Sequence, residues 1–239
     1  MLKNEHRPTL KKPFEYTGSK YAHGSYQHII NEIPPFTKLV IGFLGACPIA
    51  QYFSSRNKKV ECYEIDPVVV SVYSQKIKSF RVHNSSFLDS RFITGFPGLK
   101  PPFLYLDPPY LFRTLKSSTS IYNFEMTDQM HLDFLNLVKN YSGCAAISHY
   151  ENDLYNKYLV GWRKVQWTVQ TRQGSAVETL YCNYSKPAYL ESYEFLGKNS
   201  IDRQRIRRKL SRLYTKFENL PVLERNALIK MLVMESFED

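Results

Sequence analysis

The chain has 239 residues, 43% hydrophobic and 23% charged, which is enough for one α/β domain with a small appendage. No apolar run is long enough to cross a bilayer as a helix, and residues 1–7 lack the apolar core of a signal peptide, which predicts a cytoplasmic protein. The excess of 32 Lys and Arg over 22 Asp and Glu, a formal charge of +10, favours a polyanionic partner, and 18 tyrosines suit base stacking beside phosphate contact. Cys47, Cys62, Cys144 and Cys182 are scattered without paired spacing, which predicts reduced thiols and no metal site.

In chain order, residues 7–13 form a basic, proline-bounded leader. Tyr16-Thr17-Gly18-Ser19-Lys20 is a turn cluster before a helix predicted over 26–33 and ended by Pro34-Pro35; a glycine turn with a lysine beside it can hold an anionic group. Residues 38–41 read as a buried strand that runs into Gly42-Phe43-Leu44-Gly45-Ala46-Cys47 and a helix over 49–56. This is the first β-α unit of a nucleotide-type fold, where small residues let the backbone approach a ligand. The next strand ends in Glu64 and Asp66, and an acid at this point is how such folds hold the two ribose hydroxyls. Glu64 closes the strand and is the better candidate, whereas Asp66 before Pro67 equally caps a helix over 68–77. A strand over 80–84 leads to Ser85-Ser86-Phe87-Leu88-Asp89, where Ser86 or Asp89 can cap a turn.

Pro101-Pro102-Phe103-Leu104-Tyr105-Leu106 is a short buried strand that the two prolines after Asp107 must end, because proline lacks an amide hydrogen and disfavours helix in the residue before it. Asp107 therefore stands at a strand's carboxyl end, where open α/β sheets bind ligands. Its carboxylate accepts hydrogen bonds, the carbonyl of Pro108 can point into the cleft, and Tyr110 offers a flat face. Together they suit a planar base that bears an amino group. The polar loop over 111–122 places Arg113 and Lys116 to touch phosphates. Thr127-Asp128 caps a scaffold helix with Met130, Phe134, Leu135, Leu137 and Val138 at helical spacing, and a strand over 144–148 ends in Ser148-His149-Tyr150-Glu151. Residues 162–171 and 178–184 alternate as a hairpin whose tip carries Arg172 to where DNA could lie. From Ser200 a helix has one apolar face to bury, formed by Ile206, Leu210, Leu213 and Phe217. Its basic face, with Arg203, Arg207, Arg208 and Lys209, is suited to phosphates, and a second helix covers 223–234.

Asp107-Pro108-Pro109-Tyr110 resembles the Asp-Pro-Pro-Tyr signature of amino-directed DNA methyltransferases. The order Gly18-Ser19-Lys20, Phe43-x-Gly45, Glu64, Asp107 to Tyr110, Ser148 to Glu151 and late hairpin is similar to that of Dam-like adenine methyltransferases, over about residues 14 to 187. The resemblance implies an α/β, Rossmann-like, S-adenosylmethionine-dependent catalytic domain over 14–187 and a small basic helical extension over 188–239, as in short phage-type members. It implies base flipping and methyl transfer to the exocyclic amino group of adenine in double-stranded DNA. Lys20 would close over the methionine end of the cofactor, Phe43 and Gly45 would form its loop, and Glu64 would hold its ribose. Ser86 and Phe87 would flank its adenine, with Asp89 as the alternative polar contact, and Asp107 would face cofactor and base alike beside Pro108 and Tyr110. Ser19 and Cys47 replace glycines of the family pattern. If the position of Cys47 needs positive φ, either the loop takes another path or cofactor affinity falls. An RNA adenine methyltransferase and a nucleic-acid-binding protein without catalysis are the alternatives. About sixty residues separate Phe43 from Asp107, so no large recognition insert lies between them and DNA reading falls to short loops and the basic tail.

Overall fold

The computed structural model describes residues 10, 12–16, 18–21, 24–77, 79–89, 100–114, 123–171 and 174–235. The chain divides into two compact units, Met1–Ser192 and Tyr193–Asp239.

The first unit begins with α1 (Ser25–Ile30) and is built on a seven-stranded sheet in the order β3-β2-β1-β4-β5-β7-β6. β1 (Leu39–Gly42), β2 (Val60–Glu64), β3 (Arg81–Asn84), β4 (Phe103–Leu106) and β5 (Ala145–Tyr150) are parallel. β7 (Gly174–Cys182) inserts antiparallel between β5 and β6 (Arg163–Thr171), which gives the expected Rossmann-like α/β architecture closed by an antiparallel pair. β1 and β4 are buried along their whole length. A strand covered on both faces needs a continuous apolar run, and Leu39-Val40-Ile41 and Phe103-Leu104-Tyr105-Leu106 supply it.

β1 passes through α2 (Pro48–Ser54) to β2 on one side, and β2 passes through α3 (Pro67–Lys76) to β3, whereas β4 pairs with the other side of β1. From β4 the chain returns through α4 (Asp128–Val138) to β5. Connections thus diverge between β1 and β4, and such a switch point opens a crevice at the carboxyl ends of the strands. Caps fix the helices that flank it: Asp66 Oδ1 accepts the Val68 N–H at 2.9 Å, and Thr127 Oγ1 accepts the Met130 N–H at 3.2 Å. Leu104, Leu106, Phe134, Leu135, Ile147 and Tyr155 join β4, β5, α4 and the short α5 (Asp153–Tyr158) in one apolar core.

Several element boundaries differ from expectation: α1 stops at Ile30, short of the predicted end at 33, α2 stops at Ser54, short of 56, and β5 and β7 start or end beyond their predicted spans. β5 continues past Ser148 because Tyr150 still pairs with Glu178, and β7 starts at Gly174 because pairing reaches the hairpin turn, with Thr171 opposite Gly174. The α5 helix, capped by Asn152 Oδ1 accepting the Tyr155 N–H at 3.0 Å, is too short for periodicity to reveal.

The second unit contains α6 (Ser200–Glu218) and α7 (Val222–Glu235), with Asn199 Oδ1 capping α6 by accepting the Asp202 N–H at 2.9 Å. The apolar face expected to be buried is not: α6 has no buried residue, and Leu210 and Leu213 are 51% and 52% exposed. Arg207, Arg208 and Lys209 are exposed and Arg203 is half-buried.

Gly42 marks the closest packing under the crevice, since a Cβ there would fall 2.8 Å from both Leu106 Cδ2 and Phe87 Cγ. Gly42→Ala is therefore expected to destabilise the domain by about 1–3 kcal/mol through overpacking, read from the denaturant midpoint at unchanged slope.

Candidate cofactor and acceptor site

The carboxyl ends of the parallel strands open into one cleft. Its wall takes Tyr16, Gly18 and Ser19 from the start of the chain, residues 43–46 after β1, residues 64–66 after β2, residues 85–88 after β3, residues 107–109 after β4, and Asn123 to Met126 ahead of α4. The structure thereby brings together Phe43, Gly45, Glu64, Ser86, Phe87, Asp107 and Pro108, which are far apart in sequence.

The loop after β1 is shaped by two left-handed residues, Phe43 at φ 60° and Gly45 at φ 45°. A Cβ on Gly45 would lie 2.6 Å from the Tyr16 ring, so the glycine lets that ring close against the loop. Phe43 has no such freedom. Its ring packs at 5.9 Å from Phe87 and 5.5 Å edge-on to Phe134, and this burial offsets the strained backbone. Cys47, which stands at the family's last glycine, has φ −96°, an ordinary extended cap, and its N–H donates to Tyr73 Oη at 3.1 Å. The loop takes a path that needs no glycine there, and burial pushes the Cys47 thiol up to about 12, so it is inert.

Glu64 is 5% exposed, and both its oxygens already hold backbone: Oε2 accepts the Gly45 N–H at 2.8 Å and Oε1 the Asp66 N–H at 2.9 Å. Burial raises its pKa while those N–H groups oppose the rise. A carboxylate has about four acceptor positions, so each oxygen keeps one for a diol. Asp66 lines the cleft, but it is used as the cap of α3 and accepts the Asn123 side-chain N–H at 3.1 Å. Ser86 Oγ accepts the Leu88 N–H at 3.1 Å, closing the turn that carries Phe87, which is 2% exposed. Asp89 is exposed and is not among the cleft residues.

Asp107 lies where β4 stops. Its Oδ1 is 2.9 Å from Lys20 Nζ, and the same ammonium donates to Tyr110 Oη at 2.9 Å and sits 3.7 Å from Glu178 Oε1 on β7. Removal from water pushes the Asp107 carboxyl up to about 6, against the pull of Lys20 and with added repulsion from Glu178. Lys20 is 3% exposed, and its ammonium therefore meets the acceptor carboxylate, while its neighbours Gly18 and Ser19 line the cleft. Ser19 Oγ donates to Ala46 O at 3.1 Å, a link between this turn and the β1 loop that a glycine could not make. Tyr110 is 5% exposed, packed 4.7 Å from His149 and edge-on to Tyr150 at 4.6 Å, with Lys20 Nζ 4.9 Å from its centroid. The stacking face expected of Tyr110 is thus covered by these neighbours.

His149 braces this end of the site. Its Nδ1 lies 2.7 Å from the Tyr150 carbonyl, which makes it the N–H donor, and Nε2 accepts the N–H of Leu111 at 3.0 Å. Burial drives its pKa down to about 3, so it stays neutral. Arg113 has its backbone in a short turn, Phe112–Thr114, after the tetrapeptide, while Lys116 and Arg172 lie outside the described residues. Arg203, Arg207, Arg208 and Lys209 belong to the second unit. Sequence reasoning missed Tyr16, Asn123 and Glu178. Only Glu178 left a signal, as an acid inside the strand pattern Val177-Glu178-Thr179-Leu180.

No protein-family model matches the chain, and no curated protein matches it. Among solved structures it is similar to the 23S rRNA methyltransferase ErmE, at 16% identity over 71% of this chain and 70% of that one, with a TM-score of 0.44. It is also similar to an rRNA methylase from Streptococcus thermophilus, at 10% identity over 67% and 93% of the two chains, TM-score 0.44. A third is the magnesium protoporphyrin IX methyltransferase of Synechocystis PCC 6803 with bound S-adenosylmethionine, at 11% identity over 66% and 74%, TM-score 0.41.

His149→Phe keeps a ring but leaves the buried Leu111 N–H without its acceptor, so a stability loss of about 1–3 kcal/mol is expected in urea unfolding. The folded pKa of His149 lies below its usual 6.5, so its contribution is complete above pH 6.5 and is lost as pH falls toward 3. In the variant, stability should depend less steeply on pH across that window.

Proposed function

We propose that this protein is an S-adenosylmethionine-dependent methyltransferase acting on the exocyclic amino group of adenine in DNA. The observation that carries this is the position of Asp107, a partly buried acceptor at the end of β4, in the wall of the cleft that Glu64 and the Gly45 loop also line. A carboxylate beside a nucleoside-sized crevice at a switch point suits a base amino group next to a nucleoside cofactor.

The residues present fit that cofactor. Glu64 has acceptor positions left for two ribose hydroxyls, Phe87 presents an apolar ring for an adenine, and the loop at Gly45 is narrowed by Tyr16 as a backbone cradle. When bound there, S-adenosylmethionine supplies a sulfonium methyl group.

The chain's own residues handle the acceptor. Extruding a base from the duplex costs a few kcal/mol, which interactions in the pocket offset. Asp107 and the Pro108 carbonyl accept the two amino hydrogens, which orients the nitrogen lone pair out of the plane of conjugation and toward the methyl donor. Tyr110 holds Lys20 and packs on His149, which fixes the tetrapeptide's exit at Leu111. Base stacking falls to rings other than the covered face of Tyr110, and Tyr150, half-buried beside it, is the nearest.

The test is tritiated methyl transfer to unmethylated duplex DNA, single strands and structured RNA, followed by nucleoside analysis. N6-methyladenosine in RNA alone would replace the DNA reading with its RNA counterpart, and no incorporation into any substrate would leave a binding protein. Asp107→Ala should abolish transfer and leave cofactor affinity within a few-fold. With the carboxyl group titrating at about 6, the rate should be full above that pH and fall as pH drops through it, because the protonated acid loses acceptor capacity.

The basic helix supports a polyanionic substrate. Replacing Arg203, Arg207, Arg208 and Lys209 with Gln should weaken DNA binding on every sequence and flatten the salt dependence by about 0.9 for each phosphate no longer neutralised, with cofactor binding unchanged. Titrations at several salt concentrations measure this, and an unaltered slope would make α6 a solvated helix.

A further inference from the structure

Glu178 is 8% exposed and lies on β7 directly across from Tyr150 of β5. Its Oε1 is 3.7 Å from Lys20 Nζ, while its Oε2 is buried with no hydrogen-bond partner. A buried acid oxygen left without a donor is costly, and functional sites are where such costs are tolerated. The Lys20 ammonium thus meets two carboxylates, Asp107 at 2.9 Å and Glu178 at 3.7 Å, and also donates to the Tyr110 hydroxyl and the Gly18 carbonyl.

We infer that Glu178 is a positioning residue of the acceptor site: it shares the Lys20 ammonium with Asp107, so that the cluster keeps a net negative charge beside the methyl-accepting nitrogen. This rests on Asp107 acting as proposed above. With Lys20 alone, the Asp107 charge would be neutralised and its acceptor capacity drawn to the ammonium. With Glu178 present, one ammonium faces two carboxylates and the cluster keeps one net negative charge.

That charge has a use in the transfer. The amino lone pair forms the new N–C bond while the C–S bonding pair leaves with sulfur, so positive charge moves onto the nitrogen. The nitrogen then gives a proton to the Asp107 carboxylate, which passes it to water. A fixed negative site beside that nitrogen stabilises the charge as it develops.

The other titratable groups that face the cluster do not compete. Tyr105 of β4, Tyr150 and His149 of β5, Tyr155 of α5 and Cys47 ahead of α2 all act electrostatically on Asp107 or Lys20. Burial holds the phenols and the thiol protonated and the imidazole neutral, so they carry no charge at neutral pH. Lys20, Asp107 and Glu178 are the ionic members of this cluster among the described residues.

The experiment follows the Asp107 carboxyl by NMR in the full chain with isotope-labelled aspartate, its signal assigned by its loss in Asp107→Asn. Wild type, Glu178→Gln and Glu178→Asp are titrated without substrate, and kcat and cofactor Kd are measured in parallel across pH. Glu178→Gln should move the Asp107 midpoint to lower pH because a repelling charge is gone. The acid limb of kcat should move with it, kcat should drop roughly tenfold and Kd for the cofactor should be unchanged. Glu178→Asp, which restores the charge, should bring the midpoint back. A folded Glu178→Gln protein with an unmoved Asp107 midpoint, or a lower kcat with an unmoved acid limb, overturns the inference and leaves Glu178 as packing only. A midpoint that shifts in Glu178→Gln while the wild-type protein methylates no nucleic acid upholds the charge coupling and rejects the proposed substrate instead.

Discussion

The rest of the site depends on the ion pair between Lys20 and Asp107, 2.9 Å apart, with Lys20 buried and Asp107 partly so. It ties the turn before α1 to the end of the central strand β4, and so pins the start of the chain over the crevice. Burying two charges is favourable only when geometry and further hydrogen bonds repay the lost hydration. Here the Tyr110 hydroxyl and the Gly18 carbonyl supply those bonds to the ammonium. Because Asp107 also lines the cleft, the cost of burying the pair falls at the cleft wall. The raised pKa of Asp107 expresses that tension, with burial winning over the nearby cation.

A second constraint governs the cofactor side. Glu64 bonds the Gly45 N–H and the Asp66 N–H, so one carboxylate joins the loop after β1 to the turn after β2. The loop can then be strained without being loose. Phe43 stays at φ 60° because its ring is clamped by Phe87 and Phe134, and Gly45 takes the second left-handed position against Tyr16. Cys47 escapes strain altogether by serving as an extended cap bonded to Tyr73. The residue that departs from the family pattern and the residue that bears the strain are therefore different ones.

Electrostatics acts on two scales in this protein. At the strand ends of the first unit, Lys20, Asp107 and Glu178 are matched at close range. On the second unit, α6 displays exposed Arg207, Arg208 and Lys209, where salt screens each charge. Its half-exposed Leu210 and Leu213 show that a helical stripe read from periodicity need not be covered within a unit of two helices.

What the sequence by itself determined was whatever local rules dictate. Two prolines force the strand to end at Asp107, a closing acid marks Glu64, apolar runs make β1 and β4 buried strands, and Asp66 and Thr127 announce helix starts. What only the tertiary structure decided was proximity across the sheet. Lys20, Asp107 and Glu178 meet because the strand order sets β4 beside β5 and the β5–β7 register puts Glu178 opposite Tyr150. The neutral His149 took its place under Leu111, and Tyr110 gave up its free face, through the same packing. Periodicity and turn chemistry report the conformation of each segment, but the meeting of distant segments depends on registry and burial, which no single segment encodes.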